Sequence, residues 1–260
     1  MARLYNLKAV HAGSFSDYWY FPEGRSCDYS LTSDSAQSRR AFDDLPSEDK
    51  LLSVKRRLSY YIEQKHYLER LIDANVREND KFITLTYRDS SMTLDKLPQA
   101  RKDFETFIKR LRYHTGTHFE YANVWELQTK RGKKHGGFVL HWHFVAFGCP
   151  YVPKKKLQNI WGHGNVWIEA LSEKNNPAAY VAKYMASEYG MDDAVADLGG
   201  RPRRSRAWTV SRGVLRPVEE RTQVDRRGVE YLMASAAKKP REYRDQDGNR
   251  IVAFRVRTAA

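Results

Sequence analysis

The sequence predicts an α+β domain: an antiparallel sheet of about five strands with helices packed on one face. Three observations predict it. Residues 138–147 read Phe-Val-Leu-His-Trp-His-Phe-Val-Ala-Phe, apolar and aromatic enough for a strand buried on at least one face. A polar, glycine-rich stretch at 129–137 joins it to a second strand-like run at 121–128, as a hairpin connection does. Upstream, Phe104, Phe107, Ile108 and Leu111 fall at the i, i+3, i+4, i+7 spacing of an amphipathic helix.

Taken in order, residues 1–47 are polar and read as an irregular segment, with clusters such as Tyr18-Trp-Tyr-Phe21 and Ser30-Leu-Thr-Ser-Asp-Ser35. Ser47 is placed to cap a helix carrying Leu51, Leu52, Val54, Leu58 and Tyr61 and running to Ile72. Residues 81–87 make a central strand, and Asp95 stands where the cap of the Phe104 helix belongs. The two hairpin strands follow, then a short helix at 154–161 and a strand at 163–169. A last helix spans 177–189, with Asn176 as N-cap and Pro177 at its first position. The order β-α-β-β-α-β-α leaves one sheet face for that last helix. Beyond Gly190 the composition turns basic, as in Gly199-Gly-Arg-Pro-Arg-Arg-Ser-Arg206, although residues 208–215 suit a short edge strand. The expected division is an irregular segment 1–47, a catalytic domain 48–190 and a basic extension 191–260.

Side chains alternate along a strand, so His141 and His143 leave the same face, about 7 Å apart. Two imidazoles so placed can close on one metal ion, or serve as two satisfied histidines of a half-buried sheet. Glu126, on the preceding strand, adds a carboxylate. If the hairpin turns near Lys134, Glu126 stands opposite residue 142, between the two histidines, and register decides whether all three share a face. Such a set leaves positions open for water and substrate oxygen, and suits zinc hydrolases and non-haem iron oxygenases as well. Tyr180, Lys183 and Tyr184, at i, i+3, i+4, share one face of the last helix. Two phenols and an ammonium on one stripe suit a phosphodiester, since a tyrosine oxygen can attack phosphorus and stay covalently attached.

In this order, Phe82-Ile-Thr-Leu-Thr86, Trp125-Glu-Leu-Gln with Lys130-Arg-Gly132, His141-Trp-His143 and Tyr180-x-x-Lys183-Tyr184, the chain resembles the HUH endonuclease superfamily. Its closest likeness is to the rolling-circle replication initiators of single-stranded-DNA phages and plasmids, and it covers roughly residues 80 to 215. The resemblance implies an HUH/RRM-like sheet, His141 and His143 as ligands of a divalent metal, and Glu126 as the third. It also implies that Tyr180 nicks DNA and that Tyr184 matches the second tyrosine of two-tyrosine initiators. The connection between Glu126 and His141 is longer and more basic than is usual there, and it makes His135 a rival ligand.

Composition points the same way. The chain has 260 residues and a net charge of +13, from 45 Lys and Arg against 32 Asp and Glu, which favours polyanionic partners. Its 6 Trp and 16 Tyr supply surfaces for base stacking. No apolar run approaches the ~20 residues of a membrane span, and no signal-peptide run opens the sequence. Cys27 and Cys149 form no disulfide framework or zinc ligand set, and a cytoplasmic location in a bacterial host is expected. The sequence carries no Gly-x-x-x-x-Gly-Lys-Ser/Thr loop, so an initiator of this kind borrows a host helicase and DNA polymerase. The expected substrate is single-stranded origin DNA and the expected metal Mg²⁺ or Mn²⁺, given an oxygen-rich substrate. Tyr180 is expected to attack first, with Lys183 stabilising the phenolate or a phosphate oxygen and Tyr184 attacking in a second round. The competing readings are a transposase or relaxase of the same superfamily, and a single-stranded nucleic-acid binding protein without catalysis.

Overall fold

The computed structural model describes residues 4–26, 46–89, 91–128, 139–171, 176–183, 208–245 and 247–258. The chain divides into two compact units, Leu51–Val214 and a second built from both ends, Met1–Lys50 with Leu215–Ala260. Each holds one five-stranded antiparallel sheet, so the α+β class stands. No described helix is long and apolar enough to cross a membrane.

In the larger unit β3 (Lys81–Thr86) lies between β6 (Val166–Ala170) and β5 (Val139–Phe147). Beyond β5 come β4 (Glu120–Gln128) and a short edge strand, β7 (Trp208–Val210), the edge strand the sequence suggested. β5 is buried along its whole length, which is why both its faces read as apolar. On one face Leu140, Trp142 and Phe144 pack with Phe104, Phe107, Ile108 and Leu111 of α2 (Leu97–Thr115) and Trp161 of α3 (Lys154–Trp161). Phe104 stacks on Trp142 with ring centroids 4.9 Å apart and meets Phe144 edge-on. Such offset and T-shaped contacts suit the charge distribution of aromatic rings. Asp95 is not the cap of α2: it lies in a 3₁₀ turn, Leu94–Lys96, and Pro98 follows at the start of the helix proper. Gly116, at φ 63°, ends that helix in the left-handed conformation that glycine adopts without strain.

The opposite face takes the tyrosine helix, α4 (Pro177–Ala182), as the pattern anticipates, and also the C-terminal end of α1 (Ser47–Asp73). Leu68, Leu71 and Ile72 of α1 are buried there with Ala178, Val181 and Ala182 of α4. The expected apolar stripe of α1 falls elsewhere than the core, for Leu51 and Leu52 are 57% and 47% exposed. Lys50, Lys55, Arg56 and Arg57 surround them in sequence, and that half of the helix is too highly charged to bury.

The second unit corrects the expectation of irregular ends. Residues 4–26 form β1 (Leu4–Ala12) and β2 (Phe15–Ser26), the two strands at the centre of an ordered sheet. The region expected to be a basic extension supplies β8 (Val218–Thr222), α5 (Arg226–Ala234), β9 (Arg241–Arg244) and β10 (Arg250–Arg257). Leu7, Ala9, Tyr18, Val252, Phe254 and Val256 face one side of this sheet and pack with Leu232 and Met233 of α5. Alternation produces that core: the intervening positions Lys8, Asp17, Arg255 and Arg257 stay polar and lower the average hydropathy that made the segments look like loops.

Candidate active site

The face that receives α4 also carries the histidines. Across β3 and β5, Thr84 pairs with His143 and Thr86 with His141. Across β4 and β5, Glu126 pairs directly with His141, and Val124 with His143. The hairpin register is therefore one residue away from the expected pairing of Glu126 with residue 142. That difference puts all three donors on one face, because directly opposed residues point the same way. The connection at 129–138, including His135, lies outside the described residues.

Both imidazoles are buried, with 5% and 4% of their surface exposed, in a strand flanked on either side by other strands. The Glu126 carboxylate reaches past its direct neighbour and places Oε2 2.7 Å from His143 Nε2. His143 Nδ1 lies 3.0 Å from the Thr84 hydroxyl. A hydrogen on Nε2 satisfies both contacts, with Nε2–H donating to the carboxylate and the hydroxyl donating to Nδ1. Since a threonine hydroxyl both donates and accepts, it can equally hold Nδ1–H and free Nε2 to act as a ligand, the arrangement typical of metal-bound histidine. The His141 and His143 rings stand 6.4 Å apart, centroid to centroid. Among the described residues, no three His, Cys, Asp or Glu side chains already converge as a metal cage. In chemistry the donor set still fits a divalent ion: two imidazoles and a carboxylate on one sheltered sheet face, one imidazole oriented from behind.

α4 begins as its sequence dictates. The Asn176 side chain accepts from the Ala179 N–H at 3.0 Å, and Pro177 occupies the first turn. Tyr180 projects from this helix onto Phe82 of β3, edge to face, with centroids 5.4 Å apart. Phe82 in turn stacks nearly parallel on His143, centroids 5.8 Å apart and planes 5° from each other. A continuous row of rings thus joins the imidazole to the phenol. The Lys183 ammonium sits 3.8 Å from the centre of the Tyr180 ring, so two members of the predicted stripe are together. Tyr184 and the remainder of the expected helix, 184–189, lie outside the described residues.

Two contributors escape sequence reasoning. One is Thr84, behind His143. The other is Glu169 of β6, whose Oε2 accepts a hydrogen bond from Tyr180 Oη at 2.7 Å. Alternation along β6 puts Glu169 on the same face as Trp167, but only the pairing of Glu169 with Phe82 reveals that this is the histidine face.

Residues 80–189 match the model of a protein family described as replication-associated protein, of the ORF2 type. The matched stretch runs from the start of β3 through α4 and includes all three predicted metal donors and both tyrosines. No curated protein and no solved structure matches the chain. The likeness to replication-associated proteins thus covers the unit that carries the histidine, carboxylate and tyrosine groups, and DNA replication is the process to which it points.

Proposed function

We propose that the chain initiates rolling-circle replication by nicking and rejoining single-stranded origin DNA through a 5′-phosphotyrosine. The observation that carries this reading is the row His143–Phe82–Tyr180, which brings a tyrosine, a lysine and a His-His-Glu set to one sheet face. Tyr180 Oη attacks the scissile phosphorus, the bond from phosphorus to the 3′ oxygen breaks, and the 5′ phosphate remains on the tyrosine. The released 3′-hydroxyl then serves a host polymerase as primer. Mg²⁺ or Mn²⁺, held by His141, His143 and Glu126, would polarise the phosphate and offset charge developing on its oxygens. Lys183, already over the Tyr180 ring, favours the phenolate or meets a phosphate oxygen. Tyr184 completes the cycle as second nucleophile by attacking the regenerated origin. Backbone charge and exposed aromatic rings hold the strand, and strand separation falls to a host helicase, the whole acting in the host cytoplasm.

The His141→Ala/His143→Ala double variant tests this. It is expected to lose divalent-metal-dependent cleavage of single-stranded DNA while keeping its far-UV circular dichroism and its affinity for the strand. Undiminished cleavage would reject a metal site at these histidines.

A further inference from the structure

Glu169 stands directly opposite Phe82 across β6 and β3. Its carboxylate therefore rises on the face of the histidines, one ring removed from His143. There it takes the hydroxyl hydrogen of Tyr180 in a 2.7 Å contact. The phenol is thus held by three groups from three elements or their ends: the Phe82 ring at its side, the Lys183 ammonium over its face, and Glu169 at its oxygen. A residue that only packed would need the ring contacts and not the carboxylate.

We propose that Glu169 is the general base that takes the Tyr180 proton as the phenolic oxygen attacks a DNA phosphodiester. The inference rests on the reading of Tyr180 as nucleophile. An ordinary phenol ionises near pH 10, so only about 0.1% is phenolate at neutral pH. A carboxylate already within hydrogen-bond reach removes the need to wait for that fraction. In the step, the bond from phosphorus to Tyr180 Oη forms and the bond to the 3′ oxygen breaks. The phenolic proton passes to Glu169, and the departing 3′ oxygen takes a proton from water. In the rejoining direction the protonated Glu169 returns its proton to the departing phenol. Among the described residues, the groups facing this carboxylate are the Tyr180 phenol and the Lys183 ammonium from α4 and its end, and the uncharged Phe82 from β3. Trp167 shares its face on β6 itself.

The test uses the full chain, Mn²⁺ and a 3′-end-labelled pool of random-sequence single-stranded oligonucleotides, with covalent adduct formation followed against pH. Glu169→Gln keeps a carbonyl oxygen that accepts from Tyr180, so it preserves the geometry and removes the base. Its adduct rate is expected to fall roughly 10²–10⁴-fold, with unchanged affinity for DNA. Its remaining rate should climb steadily with pH, because attack then depends on free phenolate. Glu169→Asp, which restores a carboxylate, is expected to recover the wild-type profile shape at a lower rate. A Glu169→Gln variant that keeps the wild-type profile, whatever its rate, overturns the proposal and leaves Glu169 a strut. Tyr180→Phe, run in parallel, separates the two claims: adduct that persists there defeats the nucleophile assignment itself.

Discussion

Asp80, at the threshold of β3, shows how single side chains hold the site's sheet in register. It is buried, and its carboxylate accepts from the N–H of Gly148 at 2.7 Å and of Arg77 at 2.9 Å, while its own carbonyl accepts from Leu171. One residue thus ties the start of β3 to the ends of β5 and β6. Burial raises its pKa above the ordinary 3.8, outweighing the two N–H donors and nearby Arg77, which lower it. The folded protein then binds this proton more tightly than the unfolded chain, so the stability Asp80 contributes is greatest in acid and falls as pH rises through the raised pKa. Asp80→Ala is expected to cost about 1–3 kcal/mol, since it strands two N–H groups. In urea unfolding, the advantage of wild type over the non-titrating Asp80→Asn should shrink as pH rises from mildly acidic values to neutral; an advantage that grows would contradict the assignment. At this scale the sequence was a good guide wherever chemistry repeats at short range. The His-x-His pair, the Asn176 cap and the Tyr180–Lys183 spacing are all local patterns, and each stands in the structure. Thr84 and Glu169 were invisible because their partners lie 59 and 11 residues away, across strands whose register only the fold sets.

Among the elements, β3 and the turn leading into β6 show how tightly the sheet is closed. A side-chain carbon on Gly164 would lie 2.1 Å from the Thr86 carbonyl oxygen and 2.8 Å from the Arg88 nitrogen, so only glycine fits. That approach allows Arg88 N–H to reach His163 O at 2.8 Å and Thr86 N–H to reach Asn165 O at 3.0 Å. The Trp161 indole donates to the same Thr86 carbonyl at 2.9 Å. Gly164→Ala must push these segments apart, and a loss of about 1–3 kcal/mol is expected, read as a lower urea midpoint. A midpoint equal to wild type would mean that the turn relaxes without cost. Long or strongly periodic elements such as α2 and β5 were legible, because their apolar positions repeat at 3.6 or 2 residues. β1, β2, β8 and β10 were not, since their alternate residues are charged or aromatic and half-exposed. Tyr18-Trp-Tyr-Phe21 reads as an isolated cluster until β10 is laid beside it, with Val252 opposite Tyr20 and Phe254 opposite Tyr18.

Over the whole molecule, the chain begins and ends in one unit and inserts the other between Leu51 and Val214. Sequence reading proceeds along the chain, so it saw two unrelated ends flanking a domain. The pairings of β1 with β8 and of β2 with β10 span more than 200 residues, and nothing local announces them. The net charge of +13 is likewise a property of the full chain, and it favours a polyanionic partner without saying which atom reacts. That question belongs to the nucleophile, and one measurement answers it most directly. The protein is incubated with Mn²⁺ and single-stranded DNA of its own replicon, digested with nuclease and trypsin, and the nucleotide-bearing peptide is sequenced by mass spectrometry. The account predicts a phosphodiester-linked nucleotide on Tyr180, absent from Tyr180→Phe; an adduct mapped to another residue, with Tyr180→Phe fully active, would contradict it.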